Sequence, residues 1–363
     1  MFHPALDAFY LGLTAILTIG WQILGFLIVF FILKSDVLTD AWSAINFFFL
    51  ALLTLNLGAS YEARNILATI FVLLWAVRLG SFQLLRISKM GGDARFDDMR
   101  GKFLSFAQFW LAQALWVWTV SLPVTILNSP AVSRDRDGYG GIKVGFGTGP
   151  DIAGIVLWAI GFSWEALADF QKFWFKTYRK PQPPKGVICD IGVWRFSRRP
   201  NYFGEILHWW GIWLLAMSPA IHEGTRQGVP ARISQRGHDA LLGSLVSPLL
   251  TMVLLLFLSG VPTAEKPSQK KYYLMSHGPD GGKTLEPFGK TQREEDPWRR
   301  MKAFRDRTSL LLPMPTQFYR PLPQWVKSYI LLDLPMFRFD ESKDGPKAIE
   351  EERKKKNQGE EAA

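Results

Sequence analysis

Ser197-Arg198-Arg199-Pro200-Asn201-Tyr202-Phe203-Gly204-Glu205 places guanidinium groups, hydroxyls, an amide and a carboxylate within one short stretch, and Arg195 stands just before it. Ile206 to Ser218 then run on as an apolar block interrupted by His208. Cations where a buried helix begins suit an anionic ligand, because the first N–H groups of a helix also point outward with partial positive charge. Asn201 and Glu205 are spaced to share one helix face. Upstream, Glu165 and Asp169 repeat that i, i+4 spacing, so two carboxylates share a face of a second helix.

Other chemistries have little support. The 5 histidines form no HxxxH or HxxE set, so no metal site is expected. No strand-led GxGxxG and no GxSxG occurs. Gly145-Phe-Gly147-Thr-Gly149 lacks the strand and the Lys-Ser/Thr of a phosphate loop and reads as a turn. The net charge of +10 admits nucleic acid or a membrane with positive cytoplasmic loops. No nucleic-acid motif is present, and the basic residues fall between apolar blocks, so nucleic acid is not an expected partner.

Long apolar blocks must position these residues. They cover roughly 11–33, 44–60, 66–85, 106–127, 152–170, 192–218 and 241–261, and 15 Trp with 27 Phe suit lipid-facing helices with aromatic belts. Backbone groups in lipid must be satisfied internally, which favours helices. The expected fold class is an all-α, polytopic transmembrane helical bundle of about seven spans (range six to eight). The first block, with no small-residue cleavage site after it, reads as an anchor rather than a removable signal. The basic loops cannot all face one side if every block spans once, so the short second or the broken sixth block is a candidate re-entrant segment. Arg78, Glu165, Asp169, Glu205 and His208 are ionisable groups inside oily blocks, where they face a bundle interior or a wet cavity. His208 alone reads as a packed, hydrogen-bonded histidine. The single cysteine, Cys189, allows no intrachain disulfide.

The stretch 197–205, followed by Trp209-Trp210-Gly211, resembles the signature of the steroid 5-alpha-reductase-like membrane proteins, within a wider group of sterol reductases and isoprenylcysteine methyltransferases. Glu165-x3-Asp169-x-Gln171-Lys172, Ser259-Gly260-Val261-Pro262 with Glu265-Lys266, and Arg307-Thr308-Ser309 before Pro313 match that family in order. Trp75-x2-Arg78-Leu79-Gly80 and Asp93-x-Arg95-Phe96-Asp97 extend the likeness forward. Arg199 stands where the family has His, and segments near 222–239 and 274–298 look inserted.

The resemblance implies an NADPH-dependent reductase of a carbon–carbon double bond in a steroid- or lipid-like substrate, with the cofactor site facing the cytosol. It implies NADPH contacts from Glu165, Asp169, Asn201, Tyr202 and Glu205, with Arg195, Arg198 and Arg199 on the phosphates. Tyr202, Glu205, Tyr61 and Glu62 are the candidates for acid–base work, and Tyr61-Glu62 is the one adjacent pair of the types that the steroid enzymes use on a ketone. The expected organisation is 1–105 N-terminal membrane helices, 106–315 the reductase-like domain with its insertions, and 316–363 a charged, partly disordered tail. The expected setting is an integral membrane protein, in the endoplasmic reticulum if eukaryotic, with the bilayer and a hydrophobic substrate as partners. Two alternatives keep the scaffold: an S-adenosylmethionine-dependent membrane methyltransferase, and a non-catalytic lipid-binding scaffold.

Overall fold

The computed structural model describes residues 7–33, 38–90, 102–133, 145–180, 186–221, 224–226, 229–231, 233–279, 281 and 296–361. Its helices are α1 (Leu11–Leu27), α2 (Thr39–Gly58), α3 (Ala63–Met90), α4 (Phe103–Asn128), α5 (Pro130–Ser133), α6 (Gly149–Thr177), α7 (Pro200–Ile221), α8 (Gln235–Gly243), α9 (Val246–Val253), α10 (Val261–His277), α11 (Pro297–Arg307), α12 (Thr316–Tyr319) and α13 (Gly345–Glu361). Two three-residue strands, β1 (Gly224–Arg226) and β2 (Val229–Ala231), pair antiparallel within the expected insertion. The fold class is all-α and polytopic, as the apolar blocks require.

Among the described residues, six segments are long and apolar enough to cross a membrane: Leu11–Leu33, Thr39–Gly58, Ala63–Lys89, Phe103–Ser133, Gly149–Thr177 and Gln235–His277. The sixth apolar block of the sequence is helical too, as α7, but Asn201, Glu205 and His208 leave it outside that set. The segment 91–101, which holds the Asp93 to Asp97 element, lies outside the described residues.

The chain divides into two compact units, Met1–Phe162 with Ile206–Met252, and Ser163–Glu205 with Val253–Ala363. The first unit is patterned inside out. On α1, Thr14, Thr18, Gln22 and Gly25 are buried, while Ile16, Ile19, Ile23 and Leu27 are exposed. Small and polar residues inward with aliphatic residues outward is the pattern of helices packed in lipid. Between α6 and α7 the backbones meet closely, and a Cβ on Gly211 would lie 2.7 Å from the Gly154 carbonyl. His208 is fully buried, with ring centroids 5.8 Å from Trp75 and 5.3 Å from Trp209. Arg78 lies over the Phe82 ring at 5.8 Å. A buried Arg64–Asp151 pair at 2.7 Å and an Asn65–Asn128 hydrogen bond at 2.9 Å tie α3 to α6 and α4.

The second unit holds the stretch 197–205 and the C-terminal chain. The sequence suggested a charged, partly disordered tail over 316–363. Within it, Tyr319, Asp333, Phe337, Phe339 and Ala348 are buried, and α13 packs on α10. Hydrophobic positions at wide spacing, broken by prolines, hide a core contribution that no helical or strand period reveals.

Candidate functional site

All eight residues expected at the cofactor lie in the second unit, whereas Tyr61 and Glu62 lie in the first. The stretch before α7 is held from several sides. Gly192–Arg195 forms a 3-10 turn whose Val193 N–H donates to Gln171 Oε1 at 3.0 Å, and Trp194 Nε1 donates to the Ala168 carbonyl at 2.9 Å. Gly192 has φ +52, and a Cβ there would lie 2.2 Å from Gln171 Nε2. Gln171 is therefore a packing lock for the turn. Arg198 N–H donates to the Ser309 carbonyl at 2.8 Å and Arg199 N–H to the Leu310 carbonyl at 3.0 Å. Four stretches distant in sequence thus meet in space: 165–172, 192–199, 259–266 and 307–310.

The two central arginines turn onto one carboxylate. Arg198 Nη1 pairs with Glu265 Oε1, and Arg199 donates through Nε and Nη2 to Glu265 Oε2 at 3.1 Å each. Arg198 Nη2 also pairs with Asp333 at 2.8 Å, and Asp333 accepts from Arg338 at 3.1 Å and Tyr319 Oη at 3.2 Å. Arg198 is 3% exposed. Desolvation would disfavour its charge, but Glu265 and Asp333 beside it hold it firmly protonated. Burial alone would raise the Asp333 carboxyl, yet Arg198 and Arg338 hold it below the usual carboxylate range. Arg198 is thus charge-paired by Glu265 and Asp333. Arg195 is exposed and donates to the Asp190 carbonyl at 3.2 Å.

Beside this lock lies a cavity of about 320 Å³. Lys172, Lys176, Lys271, Arg198 and Arg199 line it, and among the described lining residues Glu265 is the one carboxylate. Its remaining wall is aromatic and sulfur-rich, including Trp194, Tyr272, Phe304, Met275 and Cys189. Lys172 Nζ sits 4.3 Å from the Trp194 ring centroid. Burial pushes the Cys189 thiol up to about 11. Lys172 and Lys176 sit one turn apart on α6, four residues being the spacing of one helical face. The apolar block of the sequence ends near 170, but α6 continues to Thr177 and carries that face.

The other expected residues sit outside that lining. Asn201 is half-buried in the first turn of α7, and its Oδ1 is enclosed without a hydrogen-bond partner. Tyr202 and Glu205 are half-buried on the same helix, Glu165 is buried and Asp169 half-buried on α6. A Trp164–Phe203 ring contact at 6.2 Å packs these parts of α6 and α7 together. Tyr61 is 59% exposed and bonds Asn56 at 3.4 Å, and Glu62 is exposed. The Gly145–Gly149 turn is not a phosphate cradle: Gly147 and Thr148 N–H groups both donate to Asp151 Oδ2 at 3.0 Å.

Against known families, the one described as Protein of unknown function (DUF1295) matches residues 26–226. That span includes Glu165 to Lys172 and Arg195 to Glu205 but ends before Glu265. No curated protein and no solved structure matches the chain.

Proposed function

The chain belongs to the DUF1295 family of proteins of unknown function, and from that premise we propose that it is a membrane-embedded, NADPH-dependent reductase of a carbon–carbon double bond in a steroid- or lipid-like substrate. The observation that carries this reading is the cavity in the second unit, where five cations face one carboxylate beside aromatic walls. The likeness of 197–205 to the steroid 5-alpha-reductase-like signature supports the same choice of cofactor.

The residues fit the group. Lys172, Lys176 and Lys271 supply the positive charge that phosphates need, and Arg199 adds a guanidinium already oriented by Glu265. Tyr272 and Phe304 offer flat surfaces to a base. A volume of about 320 Å³ suits the phosphorylated nucleotide part of a dinucleotide. Asn201 Oδ1, enclosed without a donor, would accept from a carboxamide N–H, and Glu165, Asp169 and Glu205 would accept from ribose hydroxyls. NADPH, when bound, supplies the hydride. The chain's part is to orient cofactor and alkene, exclude water and supply one proton. The Tyr202 hydroxyl, half-buried next to Asn201, is the better candidate for that proton than the exposed Tyr61 or Glu62. An apolar groove of about 680 Å³ in the first unit, lined by Ile19, Leu111, Leu115 and Trp118, suits a lipid-soluble ligand. The reading places the protein in a membrane, the endoplasmic reticulum in a eukaryote, with the cavity facing the cytosolic NADPH pool.

Thermal melting of the purified protein tests the assignment, since a ligand bound only by the folded state raises the melting temperature. NADPH is expected to raise it and S-adenosylmethionine to leave it unchanged. The reverse result would assign the scaffold to a methyltransferase. No shift with either ligand at saturating concentration would favour a non-catalytic lipid-binding scaffold.

A further inference from the structure

Residues 312–336 present an unusual surface for chain that follows the last membrane-spanning segment. Phe318 is 62% exposed, Trp325 60%, Tyr329 70% and Ile330 59%, and Leu312 and Met336 are exposed as well. The backbone beneath them is fixed. Tyr319 is fully buried with its hydroxyl on Asp333, and Lys327 Nζ donates to the carbonyls of Asp306 at 3.3 Å and Arg320 at 3.1 Å. Side chains held outward on a pinned backbone are a built surface, and an apolar surface of this kind marks a contact with lipid or protein.

Three observations choose lipid. First, the segment is too short and too broken to span: α12 covers Thr316–Tyr319, and only Val326–Ile330 and Pro335–Phe337 are helical after it. Its exposed residues mix Trp and Tyr with aliphatics, the mixture that settles at headgroup depth. Second, its two ends are located within the second unit. Met314 N–H donates to the Phe196 carbonyl at 2.9 Å, just before α7, and Phe196 is itself exposed. At the far end, α13 is pinned to the charged part of α10 by Lys266–Asp344 at 2.9 Å and by Lys270–Glu351. That part of α10 follows the exposed, apolar Phe257 and Leu258, so the segment lies where apolar chain gives way to charged chain. Third, the charge that the segment exposes is positive: Arg320 is exposed, whereas Asp333 is 1% exposed and consumed by arginines. Anionic headgroups complement that balance.

We propose that residues 312–336 form an in-plane membrane anchor, with Phe318, Trp325, Tyr329 and Ile330 inserted into the headgroup layer of the bilayer that the helices span. The anchor fixes Asp333 and, through it, Arg198 relative to the membrane surface.

The test uses full-length protein in a Cys189→Ser background, reconstituted into vesicles of phosphatidylcholine and phosphatidylglycerol. A polarity-sensitive fluorophore is attached at Phe318→Cys, Tyr329→Cys or, as an exposed control on α13, Asn357→Cys. Loss of fluorescence to lipids spin-labelled near the headgroup is expected at 318 and 329 and not at 357. Quenching at 318 and 329 no greater than at 357 would overturn the proposal. So would protection of those positions from a water-soluble alkylating agent in detergent that grows with protein concentration, which would mark a second copy as the occupant.

Discussion

Arg199 and Glu265, 66 residues apart in sequence, meet as a buried ion pair at 3.1 Å. The same carboxylate takes Arg198, so one glutamate aligns two consecutive arginines at the start of α7. Lys172, Lys176 and Lys271 line the cavity beside this lock without forming part of it.

Removing the shared carboxylate takes the Glu265 partner from Arg199 and leaves Arg198 with Asp333 alone. Glu265→Ala is expected to destabilise the protein by roughly 3–5 kcal/mol, the usual consequence of leaving a buried charge unpaired. Thermal melting in detergent measures it. The double variant Glu265→Ala with Arg199→Met should recover part of the loss, and a loss below about 1 kcal/mol in the single variant would show the pair to be dispensable.

Gly192→Ala combines a left-handed backbone with a Cβ placed on Gln171. The expected loss is about 2–3 kcal/mol, from left-handed strain and a displaced hydrogen bond to Val193. Gly147→Ala is the control: its φ is +102 but its Cβ would meet nothing within 4 Å, so only backbone strain remains. Comparing their melting temperatures separates packing from strain.

Asp333 titrates below the usual carboxylate range in the folded protein. A depressed pKa contributes stability that is fully present above the unfolded value of about 3.9 and lost as pH falls through the folded value. Melting temperature should therefore not depend on Asp333 ionisation above about pH 5, and should fall more steeply below about pH 4 in the wild type than in Asp333→Asn. Equal slopes in that acid window would remove Asp333 from the linkage.

Cys189 reports on the cavity from within. With its thiol pushed up to about 11, alkylation should be slow at neutral pH and accelerate about tenfold per pH unit on the way up, because the thiolate is the reactive form. A ligand in the cavity should slow it further. Mass spectrometry of iodoacetamide-treated protein gives both rates, and a faster rate that levels off at about pH 9, as for a free thiol of pKa about 8.5, would place the thiol in open solvent.

Much of the fold was legible because lipid imposes long, charge-poor helices, and Leu11–Leu33 or Gly149–Thr177 advertise themselves by composition. The stretches that carry Asn201, Glu205, Glu165 and Asp169, paired by spacing in the sequence, fold into one unit. Two features were not. The neutralisation of Arg198 and Arg199 depends on Glu265 and Asp333, and no local pattern records a pairing across 66 residues or more. The buried part of the tail was hidden because Asp333, Phe337 and Phe339 sit in short turns without a helical period, among prolines that read as a linker. Lys172 and Lys176 lie beyond the apolar block, which stops near Phe170 while the helix goes on to Thr177.

Equilibrium binding of NADPH to the purified full-length protein, followed by the nucleotide's own fluorescence, tests the central claim most directly. Saturable binding is expected in the wild type, weakened roughly tenfold or more in Lys271→Gln and in Lys172→Gln, the scale of a lost charge-assisted contact. Absence of saturable binding, or affinity unchanged in both variants while the proteins remain folded, would contradict it.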